Sequence, residues 1–303
     1  MTRKNDNLLN PNSLVMKKIV LFLISVQCSV FTVHWSSAQV INVPGDYETI
    51  QEGINAATDG DTVLVADGTY LENINFRGKA ITVASHYLTD PDTNHIYNTV
   101  IDGSSPLHPD SAAVVTFISG EDTNSVIYGF TITGGSGLHS SFPAGMVGGG
   151  ISCDESGAKI MYNRIINNEL LDNPFSLGGG IYSTSMVTEP WIVIGHNFIA
   201  DNVASSTTVS AGAGLCISSS ARVFNNTITR NAASCSGDDK SAEGGGVACE
   251  SLGELDFLSF YNNEITHNTG SAEYVYGPGM CIYNAHTTIK NNNISYNNAT
   301  GIR

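Results

Sequence analysis

Basic residues are scarce in this chain. Lysine and arginine together number 13 among 303 residues, against 28 aspartates and glutamates, so the formal net charge at pH 7 is −15. A surface of this sign repels the phosphates of nucleic acids and of anionic membranes, and we expect neither as a partner. It would also repel an acidic polysaccharide, unless a cation such as Ca²⁺ bridged the two.

Cysteine is also scarce, with six residues and no Cys-x-x-Cys pair. The absence of that spacing excludes the common zinc-binding and redox motifs. Five cysteines follow the N-terminal segment: Cys153, Cys216, Cys235, Cys249 and Cys281. Their odd number leaves at least one thiol unpaired, and their positions in the repeat predict no disulfide framework. We expect Cys153 and Cys249 to point inward, Cys216 and Cys281 outward, and Cys235 to be exposed in a loop.

No phosphate-binding motif accompanies the glycine clusters GGGI at 148–151 and 178–181. A P-loop requires GxxxxGK[ST], and no lysine follows these glycines. A dinucleotide-binding loop requires GxGxxG between a strand and a helix, and helical periodicity is absent from this region. Nucleotide binding is therefore excluded as an explanation of the glycines.

The N-terminal segment has the features of a secretory signal. The stretch MKKIVLFLISVQCSVFTVHWSSAQ has two lysines, an apolar run, and small residues at Ser36 and Ala38 before Gln39. This pattern predicts a signal peptide over residues 1–38, with Met16 as an alternative start, and a mature domain over 39–303. Polar residues interrupt the apolar run, which argues against a membrane anchor. Removal of the signal would take away four basic residues and one acidic residue, for a net charge of −18.

Two short motifs alternate through the second half of the chain. The first is Gly-x-Gly followed by an apolar residue, and its third positions are 150, 180, 214, 246 and 279. The second is Asn-x-Ile-x-x-Asn, which occurs at Asn163–Asn168, Asn197–Asn202, Asn226–Asn231, Asn263–Asn268 and Asn292–Asn297. Apolar residues alternate with polar ones between the motifs, which is typical of strands with one buried face. Units of about 30 residues that repeat in this way indicate a solenoid.

Short strands joined at Asn and Gly corners predict a parallel β-helix. Asn and Gly tolerate the left-handed backbone of a sharp corner, and each unit would supply three short strands to one coil. Neighbouring coils would lie about 4.8 Å apart and bury a continuous column of Ile and Val.

The segment DYETIQEGINAATDGDTVLVADGTYLENINFRGKAITVAS, residues 46–85, resembles the opening of pectin-lyase-like proteins. The resemblance implies an all-β, single-stranded right-handed parallel β-helix, with an N-terminal α-helix that covers the end of the coil. Tyr47, Ile50 and Ile54 would form the apolar stripe of that helix, Asp46 its N-cap, and Gly60 would follow its end. That superfamily contains lyases, esterases, hydrolases, epimerases and non-enzymes, so the resemblance does not fix an activity.

The alternating glycine and asparagine motifs also resemble the repeats of chlamydial polymorphic outer-membrane proteins, which are surface adhesins. This second resemblance implies a non-catalytic adhesin or structural rod. The sequence stops at Gly301-Ile302-Arg303, where another strand would begin, and we expect further coils or a cap beyond it.

Motifs of known carbohydrate enzymes are missing from the sequence. The Gln-Ala-Val-Ala and Gln-Asp-Thr-Leu strings of pectin methylesterases do not occur, nor do the Gly-His-Gly of polygalacturonases and the Trp-Ile-Asp-His of pectate lyases. Equivalent positions on successive coils also place Asp154 and Glu250 three coils apart, about 14 Å by the strand spacing. That separation exceeds the usual distance between two catalytic carboxyls of a glycosidase.

One polar column carries residue types that a lyase needs. Four residues after the first Asn of the motif, successive coils present Asp201, Arg230, His267 and Tyr296. A β-eliminating lyase needs a cation beside the uronate carboxylate and a base for the adjacent proton. Arg230 could be the cation, and His267 or Tyr296 the base. The alternative is a solvated polar corner with one ordinary salt bridge.

Aromatic side chains provide a candidate binding surface. Phe224 and Tyr261 occupy equivalent outward positions on adjacent coils, where sugar rings could stack, with Arg222 and Lys290 nearby. The alternative is that both rings only pack beneath neighbouring loops.

No cofactor is predicted, apart from Ca²⁺, which Asp238, Asp239 and Glu243 could hold together; such loop acids are otherwise merely solvated. The sequence thus predicts a bacterial protein, secreted or at the cell surface, that binds or processes extracellular polysaccharide, with a lyase-like mechanism as the candidate chemistry. A non-catalytic adhesin or rod is the alternative.

Overall fold

The structure is a computed structural model that describes residues 37–108, 111–141, 144–185, 192–236, 240–250 and 257–300. Nearly all of the predicted signal peptide, and also Asp238 and Asp239, lie outside the described residues. The elements below belong to one compact unit that begins at Ala38.

From Thr82 to Tyr283 each coil runs through four sheets, which we name A, B, C and D and which the chain meets in the order A, B, D, C. One coil consists of Ala158–Met161 in sheet A, Arg164–Ile166 in sheet B, Glu169–Leu177 in sheet D and Ile181–Thr184 in sheet C. Each strand pairs in parallel with its equivalent in the next coil. The predicted all-β parallel β-helix is therefore confirmed. A coil has four strands rather than three, because the segment after the second Asn is also extended.

The strands of sheet A are Val40–Val43, Thr62–Val65, Thr82–Ser85, Val126–Tyr128, Ala158–Met161, Ile192–Gly195, Ala221–Phe224, Phe257–Tyr261 and His286–Lys290. Those of sheet B are Gly68–Leu71, Thr99–Asp102, Thr131–Thr133, Arg164–Ile166, Phe198–Ala200, Thr227–Thr229, Glu264–Thr266 and Asn293–Ser295. Those of sheet C are Ile74–Asn75, Val115–Phe117, Ile151–Asp154, Ile181–Thr184, Leu215–Ser218, Val247–Glu250 and Met280–Tyr283.

Sheet D is less regular than the other three. Its main path is Ser111–Ala112, Gly137–Ser141, Ala144–Val147, Glu169–Leu177, Val203–Ala211, Ala232–Cys235, Thr269–Ser271 and Asn298–Thr300, with Ser241–Glu243 and Tyr274–Tyr276 as a branch. Gly137–Ser141 pairs antiparallel with both of its neighbours. The second half of Val203–Ala211 pairs with the branch strand Ser241–Glu243. The branch strand Ser241–Glu243 lies next to sheet C, because the chain passes from it through three glycines into the sheet C strand Val247–Glu250.

Among the described residues, three short helical segments accompany the strands: Ile50–Ala56, the 3-10 turn His86–Leu88, and Asn94–Asn98. The predicted N-terminal helix is confirmed as Ile50–Ala56, and Ile50 and Ile54 are buried. Its N-cap is Thr49 rather than Asp46, because Thr49 and Glu52 form a reciprocal capping box with N···O distances of 3.1 and 3.2 Å. Asp46 instead accepts a hydrogen bond from the main-chain N–H of Asn42, and Tyr47 is 40% exposed, outside the apolar stripe.

The core is a column of inward-pointing apolar side chains from sheets A, B and C. Sheet D contributes a separate buried cluster that includes Ala204, Ala233 and Ala242. The central isoleucines of the asparagine motif, Ile165, Ile199, Ile228 and Ile265, are fully buried in the column. Full burial of one such side chain contributes on the order of 2 kcal/mol. The alternation of apolar and polar residues in the sequence therefore predicted correctly which face of these strands is buried.

Two ladders of asparagine side chains run along the solenoid. The first contains Asn163, Asn197, Asn226, Asn263 and Asn292, and the second contains Asn168, Asn202, Asn231, Asn268 and Asn297. In the second ladder, Nδ2 of Asn231 donates to Oδ1 of Asn268 at 3.0 Å and to the carbonyl of Ile199 at 3.0 Å. The Asn231 Oδ1 accepts from the main-chain N–H and the Nδ2 of Asn202. Buried amides that are satisfied in this way join three successive coils.

The glycine motif packs against the asparagine side chains of the second ladder. Gly178 has φ of 71°, a left-handed turn into sheet C that suits glycine. A Cβ at Gly180 would lie 2.6 Å from the carbonyl oxygen of Gly214 and 3.1 Å from Nδ2 of Asn202. The third glycine therefore leaves room for the asparagine beneath it. This packing explains why the two motifs alternate in the sequence.

The five described cysteines are free and buried. Cys153 and Cys249 lie in the core, as expected. Cys216 points outward, as expected, but sheet D covers it. The expectation for Cys235 was wrong: it is buried against Ala204 and Ala233, because the segment around it forms a strand of sheet D rather than a loop.

Substitution Asn231→Ala is expected to lower the free energy of unfolding by about 3 kcal/mol, because the buried main-chain N–H of Asn202 loses its acceptor and the carbonyl of Ile199 loses the Asn231 donor. The Nδ2 of Asn202 loses one of its two acceptors and keeps the carbonyl of Ile165. Chemical denaturation measures the change in free energy. Asn262→Ala is the matched control, since Asn262 is an exposed left-handed residue outside the ladders and its loss should cost roughly 1 kcal/mol. Equal costs for the two variants would show that the ladder does not hold the coils together.

Candidate functional site

A groove of about 600 Å³ runs along the outer face of sheet C. Its floor contains Tyr182, Cys216 and Ala248, which occupy the same outward position on three consecutive strands. Its wall is the second half of the long strands of sheet D, where Leu177 pairs with Ala211. Floor and wall share an apolar cluster, separate from the main core. The groove is therefore bounded by two β-sheets, sheet C as its floor and sheet D as its wall.

The wall exists because some sheet D strands are long. Glu169–Leu177 and Val203–Ala211 have nine residues each, whereas most strands of the solenoid have three or four. The additional residues carry the chain outward before it returns to sheet C. The return occurs at left-handed glycines, such as Gly212 with φ of 55°. The glycine motif thus marks the edge of the groove.

Four carboxylates line the groove: Asp154, Glu155, Glu243 and Glu250. Glu243 ends the wall strand Ser241–Glu243, and Glu250 ends the sheet C strand of the same coil, Val247–Glu250. The glycines 244–246 connect the two strands. Glu243 and Glu250 therefore lie on opposite sides of one groove segment.

Two tyrosines of the next coil complete this end of the groove. Tyr276 pairs with Glu243 and Tyr283 pairs with Glu250 in the strand register, and the two rings are 6.5 Å apart at 72°. A neighbouring cavity of about 510 Å³ shares these four residues. Two carboxyls and two phenols thus form a four-residue cluster at adjacent strand positions.

Burial raises the pKa of Glu243, and the charge of Glu250 raises it further, although a hydrogen bond from Ser241 lowers it. Burial also raises the pKa of Asp154, with a further contribution from Glu155. The pKa of Tyr182 and that of Tyr283 are raised as well, chiefly by burial. Burial raises the pKa of Cys216 to about 12, so its thiol is protonated at neutral pH. Among the groove carboxyls, the pKa values of Asp154 and Glu243 are therefore raised by their partly enclosed position.

This cluster is suited to proton transfer. Glu243 keeps its proton to a higher pH than an ordinary carboxyl, so it can donate one, and the Glu250 carboxylate lies across the groove. A carboxyl with a raised pKa and a second carboxyl in the same groove are two of the features that glycoside hydrolysis uses. The phenol of Tyr283 can donate a hydrogen bond to a bound hydroxyl or carbonyl.

The predicted catalytic column lies at the corner between sheets B and D. Asp201, Arg230, His267 and Tyr296 all have φ of 57–58°. The structure unites them as two pairs. Arg230 donates to both carboxylate oxygens of Asp201, at 2.8 and 2.7 Å, and the rings of His267 and Tyr296 stack at 5.3 Å. The column is exposed, with Tyr296 79% accessible, and it does not line the groove.

The predicted binding residues lie on the outer face of sheet A. The rings of Phe224 and Tyr261 are parallel within 5° at a centroid distance of 5.2 Å. Arg222 donates to the Tyr261 hydroxyl at 3.1 Å, and Lys290 follows Tyr261 in the strand register. The two rings therefore stack on each other, in a row that continues through His196 and Tyr162. Whether a sugar stacks there stays a prediction.

Sequence reasoning missed the pairing of Glu243 with Glu250. The sequence comparison followed Asp154 and Glu250 along one column, whereas Glu243 lines the same groove from the sheet D strand of the same coil as Glu250. The residues directly before the motif's first glycine are Val147, Leu177, Ala211, Glu243 and Tyr276. A comparison of this wall column with the column formed by the last residues of the sheet C strands would have indicated that Glu243 and Glu250 line the same groove.

Within the described ranges, no group of three or more His, Cys, Asp or Glu side chains could hold a metal ion. The predicted Ca²⁺ ligands Asp238 and Asp239 fall outside those ranges, so that prediction remains open, and Glu243 lines the groove. Among the residues that the structure covers, none of the helices has the length and apolar character to cross a bilayer.

No family model matches the chain, and no curated protein matches it. Among solved structures, the crystal structure of the pectin methylesterase from Aspergillus niger is similar, with a TM-score of 0.38 and 15% identity. The alignment covers 88% of this chain and 86% of that chain. At this identity, no active-site residue can be transferred from that enzyme.

Proposed function

We propose that this protein is exported and binds an extracellular polysaccharide in the groove on sheet C. The observation that supports this proposal is the combination of an apolar floor, tyrosines and carboxylates in one elongated cavity. From Asp154 to Glu250 the groove crosses three strand spacings, about 14 Å. An elongated, open groove suits a chain that continues at both ends.

The lining matches the two kinds of surface on a sugar ring. The apolar ring face can contact Tyr182 and Ala248 on the floor, and the hydroxyls at the ring edge can donate to Glu243 or Glu250. Ligand sites are typically apolar, with a few polar groups that fix orientation. The groove has this composition, and its strands hold the lining in place.

The processing that the groove supports best is cleavage of a glycosidic bond. In this proposal Glu243 protonates the leaving oxygen, and Glu250 acts as the base or nucleophile on the opposite side. The raised pKa of Glu243 favours the proton-donating role. The corner after sheet B is the subject of a separate hypothesis.

The corner hypothesis is a β-eliminating lyase that uses Arg230 with His267 or Tyr296. The bidentate bond to Asp201 already engages Arg230 and raises its pKa, so a uronate would have to compete with Asp201 for the same guanidinium. This favours a structural salt bridge. A non-catalytic adhesin or rod is the remaining alternative, and it predicts no cleavage of any glycan.

Substitution Glu243→Gln is expected to reduce glycan cleavage by about 10²–10⁴-fold, because it removes the proton donor. In the unsubstituted protein, activity should persist above the ordinary range for glutamate and fall as the pH rises through the raised pKa of Glu243. Release of reducing ends from a panel of neutral, amino and acidic polysaccharides, as a function of pH, measures both. Glu264→Gln, at an exposed position on sheet B, is the matched control. Unchanged cleavage by Glu243→Gln would refute the role of this residue.

Substitution Thr184→Trp is expected to weaken glycan binding by about 100-fold, because Thr184 is a half-buried lining residue and the larger side chain would occupy the groove. Titration calorimetry with oligosaccharides measures the affinity, and circular dichroism verifies the fold. Thr69→Trp, on the exposed face of sheet B, is the control. Binding that survives Thr184→Trp would place the ligand elsewhere.

Substitution Arg230→Ala separates the corner hypothesis from the groove. If the corner is a lyase site, formation of the unsaturated product from a uronate polymer, followed by its ultraviolet absorbance, should fall by about 100-fold or more. Since the structure favours a salt bridge, we expect Arg230→Ala to leave cleavage unchanged. A loss of lyase activity would overturn this expectation and restore the corner as the catalytic site.

A further inference from the structure

The charge of the groove is of one sign. Of its 15 described lining residues, four are Asp or Glu, and none is Lys, Arg or His. Cationic side chains lie on other surfaces: Arg222 on sheet A and Arg230 at the corner after sheet B. The cavity that fits a sugar chain therefore offers no positive partner to a sugar acid.

The carboxylates are distributed along the groove rather than gathered at one point. Asp154 and Glu155 lie at one end, and Glu243 and Glu250 lie near the other. The strand register puts three strand spacings, about 14 Å, between Asp154 and Glu250. The apolar floor of Tyr182, Cys216 and Ala248 lies between these ends. A sugar chain bound on this floor would therefore have carboxylates near it at both ends of the groove.

The partly buried position of these groups strengthens their preference for cations. Charges interact more strongly where water is excluded. Burial already raises the pKa of Asp154 and Glu243, so a further negative group would be unfavourable beside them. An ammonium group has the opposite effect, because it pairs with the carboxylate through a charge-assisted hydrogen bond.

We infer that the groove takes a polysaccharide whose sugars carry free amino groups, such as a glucosamine polymer, and that it excludes uronate chains. This inference rests on the proposed function. The ring faces lie on the apolar floor, and the ammonium groups pair with the carboxylates at the two ends. The acidic surface of the whole protein acts in the same direction, since it attracts polycations at long range.

The test compares three oligosaccharides of equal length by titration calorimetry: glucosamine with free amines, its N-acetylated form, and galacturonate. The free-amine oligomer should bind at least about tenfold more tightly than the acetylated one, which corresponds to 1.4 kcal/mol. Galacturonate should not bind. Binding of the amine should also release protons from the groove acids, which the dependence of the binding enthalpy on buffer ionisation reveals.

A charge-matched pair of variants separates the groove from general attraction. The double substitution Glu243→Gln with Glu250→Gln should weaken free-amine binding at least about tenfold. The double substitution Glu48→Gln with Glu264→Gln changes the net charge equally at exposed positions outside the groove and should have less than about a twofold effect. Equal losses in the two variants would overturn the inference, because they would show a net-charge effect alone.

The outcomes also distinguish this inference from the proposed function. If the acetylated oligomer binds as tightly as the free amine, and Thr184→Trp abolishes both, the groove is a saccharide site but the amine preference is wrong. The same holds if galacturonate binds best. If none of the three oligosaccharides binds, both the preference and the proposed function fail for these sugars.

Discussion

The structure depends on buried asparagine amides that repeat at the spacing of β-strands. An amide offers a donor and an acceptor, and at a separation of about 4.8 Å each one can bond to the next. In the second ladder, Asn202, Asn231 and Asn268 are linked in this way, with N···O distances of 2.9–3.0 Å. A shift of one residue in any coil would leave buried amides without partners, which is costly. The ladders therefore fix the register, and the isoleucine column and the close-packed glycines follow from it.

A fixed register arranges outward side chains in columns as well. The same stacking that aligns the asparagines brings Arg230 onto Asp201 and Phe224 onto Tyr261. It also sets Tyr276 beside Glu243 and Tyr283 beside Glu250. Columns alone do not make a cavity, however. The groove needs a wall, and the wall arises where the chain extends a sheet D strand before it turns at glycine into sheet C.

This difference explains what could be predicted from sequence. The spacing of the asparagine and glycine motifs was sufficient for the fold, for the buried isoleucines and for the neighbours within a column, since a repeat determines which residues are stacked. Features that depend on variable segments were not predictable in the same way. Cys235 was expected in a loop because the periodic pattern is lost there. Asp46 was expected as N-cap, but the helix begins three residues later, where Thr49 and Glu52 form a reciprocal capping box. The proximity of Glu243 and Glu250 depends on how far the wall strand extends, and no column contains both.

Exposure decides which of the two polar clusters is the better candidate for chemistry. At the sheet B corner, water surrounds the charges, and Arg230 and Asp201 neutralise each other, so little reactivity remains. In the groove, burial shifts the proton equilibrium of Glu243, and Glu250 adds to the shift. A proton donor benefits from a raised pKa, and enclosure and a neighbouring carboxyl both raise it. The four Asp and Glu residues of the groove, with no Lys, Arg or His among its described lining, underlie the ligand that we propose, because a uronate there would face like charge whereas an ammonium group could pair with a carboxylate.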